Sequence, residues 1–65
     1  MKYRIDEWVI YNQFPDNPIL SSPKKAVILY VFPESDRNFY DYEIYIDDEV
    51  GHYINARESD LCPME

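Results

Sequence analysis

The stretch that most constrains this chain is Phe39-Tyr40-Asp41-Tyr42-Glu43-Ile44-Tyr45-Ile46-Asp47-Asp48. Tyr40, Tyr42, Ile44 and Ile46 fall on even positions, while Asp41, Glu43 and Asp47 fall on odd ones. That period of two belongs to a strand with one buried face and one acidic face. A lone strand is not stable in water, so the rest of the chain must supply neighbours for the Tyr42, Ile44, Ile46 face.

The remaining segments read as those neighbours. Residues 4–11 form a first strand with Ile5 and Val9 facing in and a turn or bulge at Asp6-Glu7. Residues 12–25 hold Pro15, Asp16, Asn17, Pro18, Ser21, Ser22 and Pro23, a density of turn formers that excludes a helix and predicts a long loop. Loops of this length are tied down or functional, and Phe14, Ile19 and Leu20 are the residues expected to pin this one. Residues 26–32 are apolar at every position and rich in β-branched side chains, so they predict a central strand buried on both faces.

Pro33 closes that strand, and the polar run Glu34-Ser35-Asp36-Arg37-Asn38 leads into the Phe39–Asp48 strand. Asp47-Asp48-Glu49-Val50-Gly51 makes a tight turn in which the only glycine is available for a positive φ. Residues 52–56 form a further strand with Ile54 and Ala56 on one face and Tyr53 and Asn55 on the other. Residues 57–61 are too few for a stable α-helix and predict one 3₁₀ turn, with Leu61 folding back on the core. Cys62-Pro63-Met64 adds a short closing strand.

This order resembles that of small prokaryotic and phage SH3-like barrel domains. Ile5-Asp6-Glu7-Trp8-Val9-Ile10-Tyr11 looks like their opening "hydrophobic, Gly, Asp, any, Val" stretch, and Tyr53-Ile54-Asn55-Ala56-Arg57-Glu58-Ser59-Asp60-Leu61 is similar to their closing strand and "Glu-Ser-Asp-Leu" turn. Asp6 stands where the pattern has Gly, which requires an Asp in a left-handed or bulged conformation. The resemblance implies an all-β, small SH3-like barrel of four to five antiparallel strands with a 3₁₀ turn before the last strand. Such barrels host many functions, so function has to come from the residues on the barrel.

A length of 65 residues allows one domain, 1–65, with one small core, and the seven tyrosines supply much of its apolar burial. The single cysteine, Cys62, cannot form an internal disulfide, and this predicts a reducing, cytoplasmic setting and a partly buried, inert thiol. Neither a signal peptide nor an apolar membrane span is expected. The net charge is −7, and it is unevenly spread. Residues 34–49 carry Glu34, Asp36, Asp41, Glu43, Asp47, Asp48 and Glu49 against Arg37 alone. A field of that sign repels phosphates and attracts basic protein surfaces.

Two candidate sites follow. The first is the acidic face of Asp41, Glu43, Asp47, Asp48 and Glu49, with carboxylates about 7 Å apart along the strand, close to the phosphate interval of one DNA strand. The second is an aromatic face of Trp8, Tyr45 and Tyr53, where rings beside carboxylates suit Arg or Lys. Solubility alone also accounts for exposed acids, and core filling accounts for tyrosines, and on composition these are the favoured readings. Catalysis, a cofactor and a metal are not expected. The carboxylate pairs have no room for a cleft, His52 reads as a turn or strand residue, and Asp47-Asp48-Glu49 lacks alternating ligand spacing.

The sequence therefore predicts a small, acidic, non-enzymatic binding protein whose partner is a protein with a basic surface, not nucleic acid and not a membrane. Acidic single domains of this kind serve phages and mobile elements as inhibitors or adaptors that occupy such surfaces, in some cases as DNA mimics. The alternative is a structural or regulatory SH3-like module that takes a peptide or a partner subunit on its aromatic face.

Overall fold

The computed structural model describes residues 2–14, 16–33 and 39–64. The strands are β1 (Trp8–Tyr11), β2 (Lys24–Val31), β3 (Tyr42–Ile46), β4 (His52–Ala56) and β5 (Leu61–Pro63), with a 3₁₀ turn at Glu58–Asp60. They make one antiparallel sheet in the order β4-β3-β2-β1-β5. This order, with the 3₁₀ turn between β4 and β5, is the arrangement of a small SH3-like barrel, and β2 is its central strand. The predicted connection 34–38, with Glu34 and Asp36, lies outside the described residues.

Alternation decides the core. In β3 the side chains of Tyr42, Ile44 and Ile46 are buried while Glu43 and Tyr45 are only half-covered. They pack with Tyr3, Val9, Ala26, Ile28, Ala56 and Leu61, and Tyr11, Val31 and Ile54 close the margins. The register of β2 on β3 shifts between Ile28 and Tyr30. The bulge keeps Val31 on the core side with Tyr42 and puts Tyr30 outside beside Glu43. Burial of β2 on both faces is thus corrected: Ala26 and Ile28 are buried, whereas Val27, Leu29 and Val31 are half-buried and Tyr30 is exposed.

The first strand is shorter than the pattern suggests. Asp6 has φ 71°, the left-handed value anticipated for a residue in the glycine position. The chain reverses there: the Glu7 N–H donates to the Arg4 carbonyl at 3.1 Å, and the Arg4 N–H donates to the Glu7 carboxylate at 2.9 Å. Ladder pairing with β2 begins only where the Asp6 N–H meets the Ile28 carbonyl at 2.7 Å. Ile5 lies before this reversal and is 54% exposed, so its inward assignment is corrected. Tyr3 takes the core place instead. Its N–H donates to the Tyr42 hydroxyl at 3.1 Å, and its own hydroxyl donates to the Leu61 carbonyl at 3.2 Å.

The loop between β1 and β2 is ordered by amides and not by its apolar residues. The Asn12 side chain donates to Ser21 Oγ at 2.7 Å and accepts from the Phe14 and Ser22 N–H groups at 3.2 and 3.3 Å. Asn17 Oδ1 accepts from the Ile19 and Leu20 N–H groups at 2.9 and 3.1 Å. Phe14 and Leu20 are exposed and Ile19 is 88% exposed, which overturns their expected pinning role. Short polar side chains satisfy turn amides at no cost in buried area, as their enrichment in turns reflects. Replacing Asn17 by Ala should therefore speed hydrogen exchange at the Ile19 and Leu20 amides about tenfold, with β2 and β3 unaffected. Unchanged exchange at both amides would show that something else holds the loop.

Candidate functional site

Strand register brings the predicted aromatic residues together. Trp8 pairs with Val27, Val27 with Tyr45, and Tyr45 with Tyr53. Side chains directly opposite in neighbouring strands share a face, so these four form one row across the outer side of the sheet. The Tyr45 and Tyr53 rings are 5.1 Å apart and tilted. Tyr53 is 70% and Trp8 42% exposed. Tyr45 also lies over Gly51, where a β-carbon would run into its hydroxyl. Gly51 has φ 80°, as the turn required, so glycine here serves both the turn and the seat of the Tyr45 ring.

The acidic residues divide into two groups. Glu43 and Asp47 precede and follow Tyr45 by two positions in β3 and its extension, where the Asp47 N–H donates to the Lys25 carbonyl at 2.8 Å. They stand on the outer face with the aromatic row, and Glu49 is exposed in the adjoining turn. Glu43 is half-buried, not fully exposed as expected. Asp41 and Asp48 hold backbone groups instead, Asp41 across the chain and Asp48 within its own turn. Asp41, also half-buried, accepts from the Glu58 N–H at 2.9 Å and so fixes the start of the 3₁₀ turn.

Asp48 Oδ1 accepts from the Gly51 and Val50 N–H groups at 2.7 and 3.2 Å, while its Oδ2 lies 3.7 Å from Lys24 Nζ and 3.2 Å from His52 Nδ1. The Gly51 N–H above all, then the charges of His52 and Lys24, holds the Asp48 carboxyl below its ordinary pKa. Asp41 and Asp48 thus belong to the scaffold, and the aromatic and acidic surfaces meet at Glu43, Tyr45, Asp47 and Tyr53.

Cations already test these rings. Lys25 Nζ lies 4.8 Å from the Trp8 ring centroid, so the Trp8 end of the row is capped from within the chain. At the Tyr45 and Tyr53 end, the flanking charges are carboxylates. His52 opens β4 and pairs with Asp48, in keeping with a strand residue. Cys62 is exposed, which corrects its expected partial burial. Among the described residues no cluster of His, Cys, Asp and Glu is arranged to hold a metal ion, and no helix is long and apolar enough to cross a membrane. Comparison with protein-family models, with curated proteins and with solved structures finds no match to this chain.

Proposed function

We propose that this protein is a small acidic binding module, without catalytic activity, that docks on a basic surface of a partner protein through the outer face of its sheet. The observation that carries this reading is the cross-strand row ending in the Tyr45 and Tyr53 pair, with Glu43 and Asp47 on either side of Tyr45. A guanidinium or ammonium group set against those rings gains cation–π attraction from the face and charge from the carboxylates. The net charge of −7 adds long-range steering toward basic surfaces. Lys25 on Trp8 is the same chemistry inside the chain.

With a partner captured from the source cell, the Tyr53→Ala variant should weaken binding about thirtyfold or more, as loss of an interfacial aromatic anchor does. Changing Glu43 to Gln and Asp47 to Asn together should slow association, and raised salt should slow association of the unmodified protein in the same way. Retention of affinity by both variants would sink this reading. Competitive displacement of the partner by duplex DNA would show that the basic surface is one that also holds nucleic acid, the inhibitor form of the same function.

A further inference from the structure

We infer that the open edge of β4 is a self-association site, through which two copies of this chain pair β4 against β4 about a two-fold axis and join their sheets into one. The strand order leaves β4 and β5 as the two edges of the sheet. Unpaired N–H and C=O groups on an edge template another strand, and natural proteins blunt such edges with short strands, proline or charge. β5 is blunted twice, being three residues long and ending in Pro63. β4 is not blunted at all: His52-Tyr53-Ile54-Asn55-Ala56 holds no proline, lysine, arginine or carboxylate, in a chain of net charge −7. Beyond the ladder with β3, residues 52–55 make no backbone hydrogen bond among the described residues. Ile54 and Asn55 border an open hollow of about 450 Å³ instead, so the described chain does not cover this edge itself.

The register selects a second copy as the occupant. Antiparallel pairing centred on Ile54 sets Ile54 against Ile54, Tyr53 against Asn55 and His52 against Ala56 of the second copy. No carboxylate enters the pair. The backbone stays extended through Arg57, at φ −88° and ψ 150°, so the same register carries Arg57 to Gly51 of the second copy, at the end of the turn that holds Asp47, Asp48 and Glu49. Arg57 has no carboxylate partner among the described residues, where it faces the Tyr40 ring at 5.9 Å, and Glu49 is exposed without a cation. The Tyr45 ring lies over Gly51 and adds an aromatic face to that seat. The two-fold repeats this match at both ends of the strand pair, so a cation of each copy meets the acidic turn of the other.

Five residues from each copy make a small contact, and the charge of −7 on each opposes it, so the dimer is a weak one with Kd about 10–100 μM. Pairing leaves Tyr45 and Tyr53 on the outer side, where the joined sheets carry two such pairs. The inference stands independently of the docking proposal, because it needs no partner.

Sedimentation equilibrium of the full chain from about 5 μM to about 1 mM should show a reversible monomer–dimer equilibrium. In a mixture of isotope-labelled and unlabelled chains, filtered nuclear Overhauser effects are expected between the Ile54 methyl groups of the two copies and from the Tyr53 ring of one to Asn55 of the other. Arg57→Glu should weaken dimerisation about tenfold or more, since like charges then meet at both ends. A monomer at about 1 mM, inter-copy contacts confined to other residues, or unchanged dimerisation of Arg57→Glu would overturn the proposal. The inter-copy contacts are read on the unmodified protein and decide even if Arg57→Glu fails to fold. Neither measurement contains a partner, so failure here and failure of the docking reading are told apart.

Discussion

Replacing Ile44 by Ala is expected to lower the free energy of unfolding by about 2–5 kcal/mol, the cost of deleting a large aliphatic side chain from a packed interior. Ile44 is fully buried at the middle of β3, opposite Ile28 in β2 and Ile54 in β4. Its neighbours are fixed by the sheet ladder on both sides and have little freedom to collapse into the space. A domain of this size has only about 5–15 kcal/mol in total, so the loss removes a large share of its stability. Glu43→Ala, one residue away on the outer face, should cost less than about 1 kcal/mol. Urea denaturation of both proteins checks the register: equal losses would mean that the wrong face of β3 has been placed inside.

Tyr42→Phe is expected to cost about 2–4 kcal/mol although it removes a single oxygen. That oxygen sits at the join of three segments. It donates to Glu58 Oε1 at 2.7 Å, accepts from the Tyr3 N–H at 3.1 Å, and belongs to a fully buried side chain in β3. Phenylalanine would leave the Tyr3 N–H buried without an acceptor, a larger penalty than loss of an exposed bond.

The same hydroxyl makes stability depend on pH in the alkaline range. Burial first, and then the hydrogen bond to Glu58, pushes the Tyr42 pKa from 10.0 up to about 12. The folded state therefore holds this proton more tightly than the unfolded chain does. Its contribution is complete below pH 10 and declines as pH rises toward 12, by about 3 kcal/mol in all. On the acid side the Tyr42 hydroxyl, followed by the Lys2 N–H, holds Glu58 below its ordinary pKa of 4.5. Stability from that source is present above the ordinary value and is lost as pH falls through the depressed one. Denaturant melts across pH should show both slopes in the unmodified protein and a flatter profile in Tyr42→Phe. Identical profiles would mean that the Tyr42 hydroxyl is not the linked group.

The elements that rest on local rules were legible before any coordinates. Alternation placed Tyr42, Ile44 and Ile46 inside, the glycine at 51 marked the positive φ, and Leu61 was expected to return to the core after a 3₁₀ turn. Ile5 shows where such rules stop. Alternation counts residues along a straight strand, and the left-handed Asp6 ends the strand between Ile5 and Val9, so Tyr3 and not Ile5 reaches the interior. No periodic signal marks Tyr3, because its position depends on hydrogen bonds to residues 39 and 58 places away.

The candidate surface was half legible for a related reason. Trp8, Tyr45 and Tyr53 could be named as aromatic and Glu43 and Asp47 as acidic, but only the register of four strands puts them in one patch. Removal of Asp48 from the docking set had a local signal, an Asp three residues before the glycine of a turn, where its carboxylate can accept turn amides. Removal of Asp41 had none, since its backbone donor is Glu58, seventeen residues on.

The amide-held loop between β1 and β2 bears on how a protein like this can diverge. Its path depends on Asn12 and Asn17, whose side-chain oxygens accept from backbone groups of Phe14, Ile19, Leu20 and Ser22. Backbone donors are indifferent to the side chains attached to them. Ile19, almost wholly in solvent, can drift to nearly any residue other than proline without altering the loop's shape, provided the two asparagines persist. Descendants of such a chain would keep a fixed frame and exchange its tip in steps that each leave folding untouched.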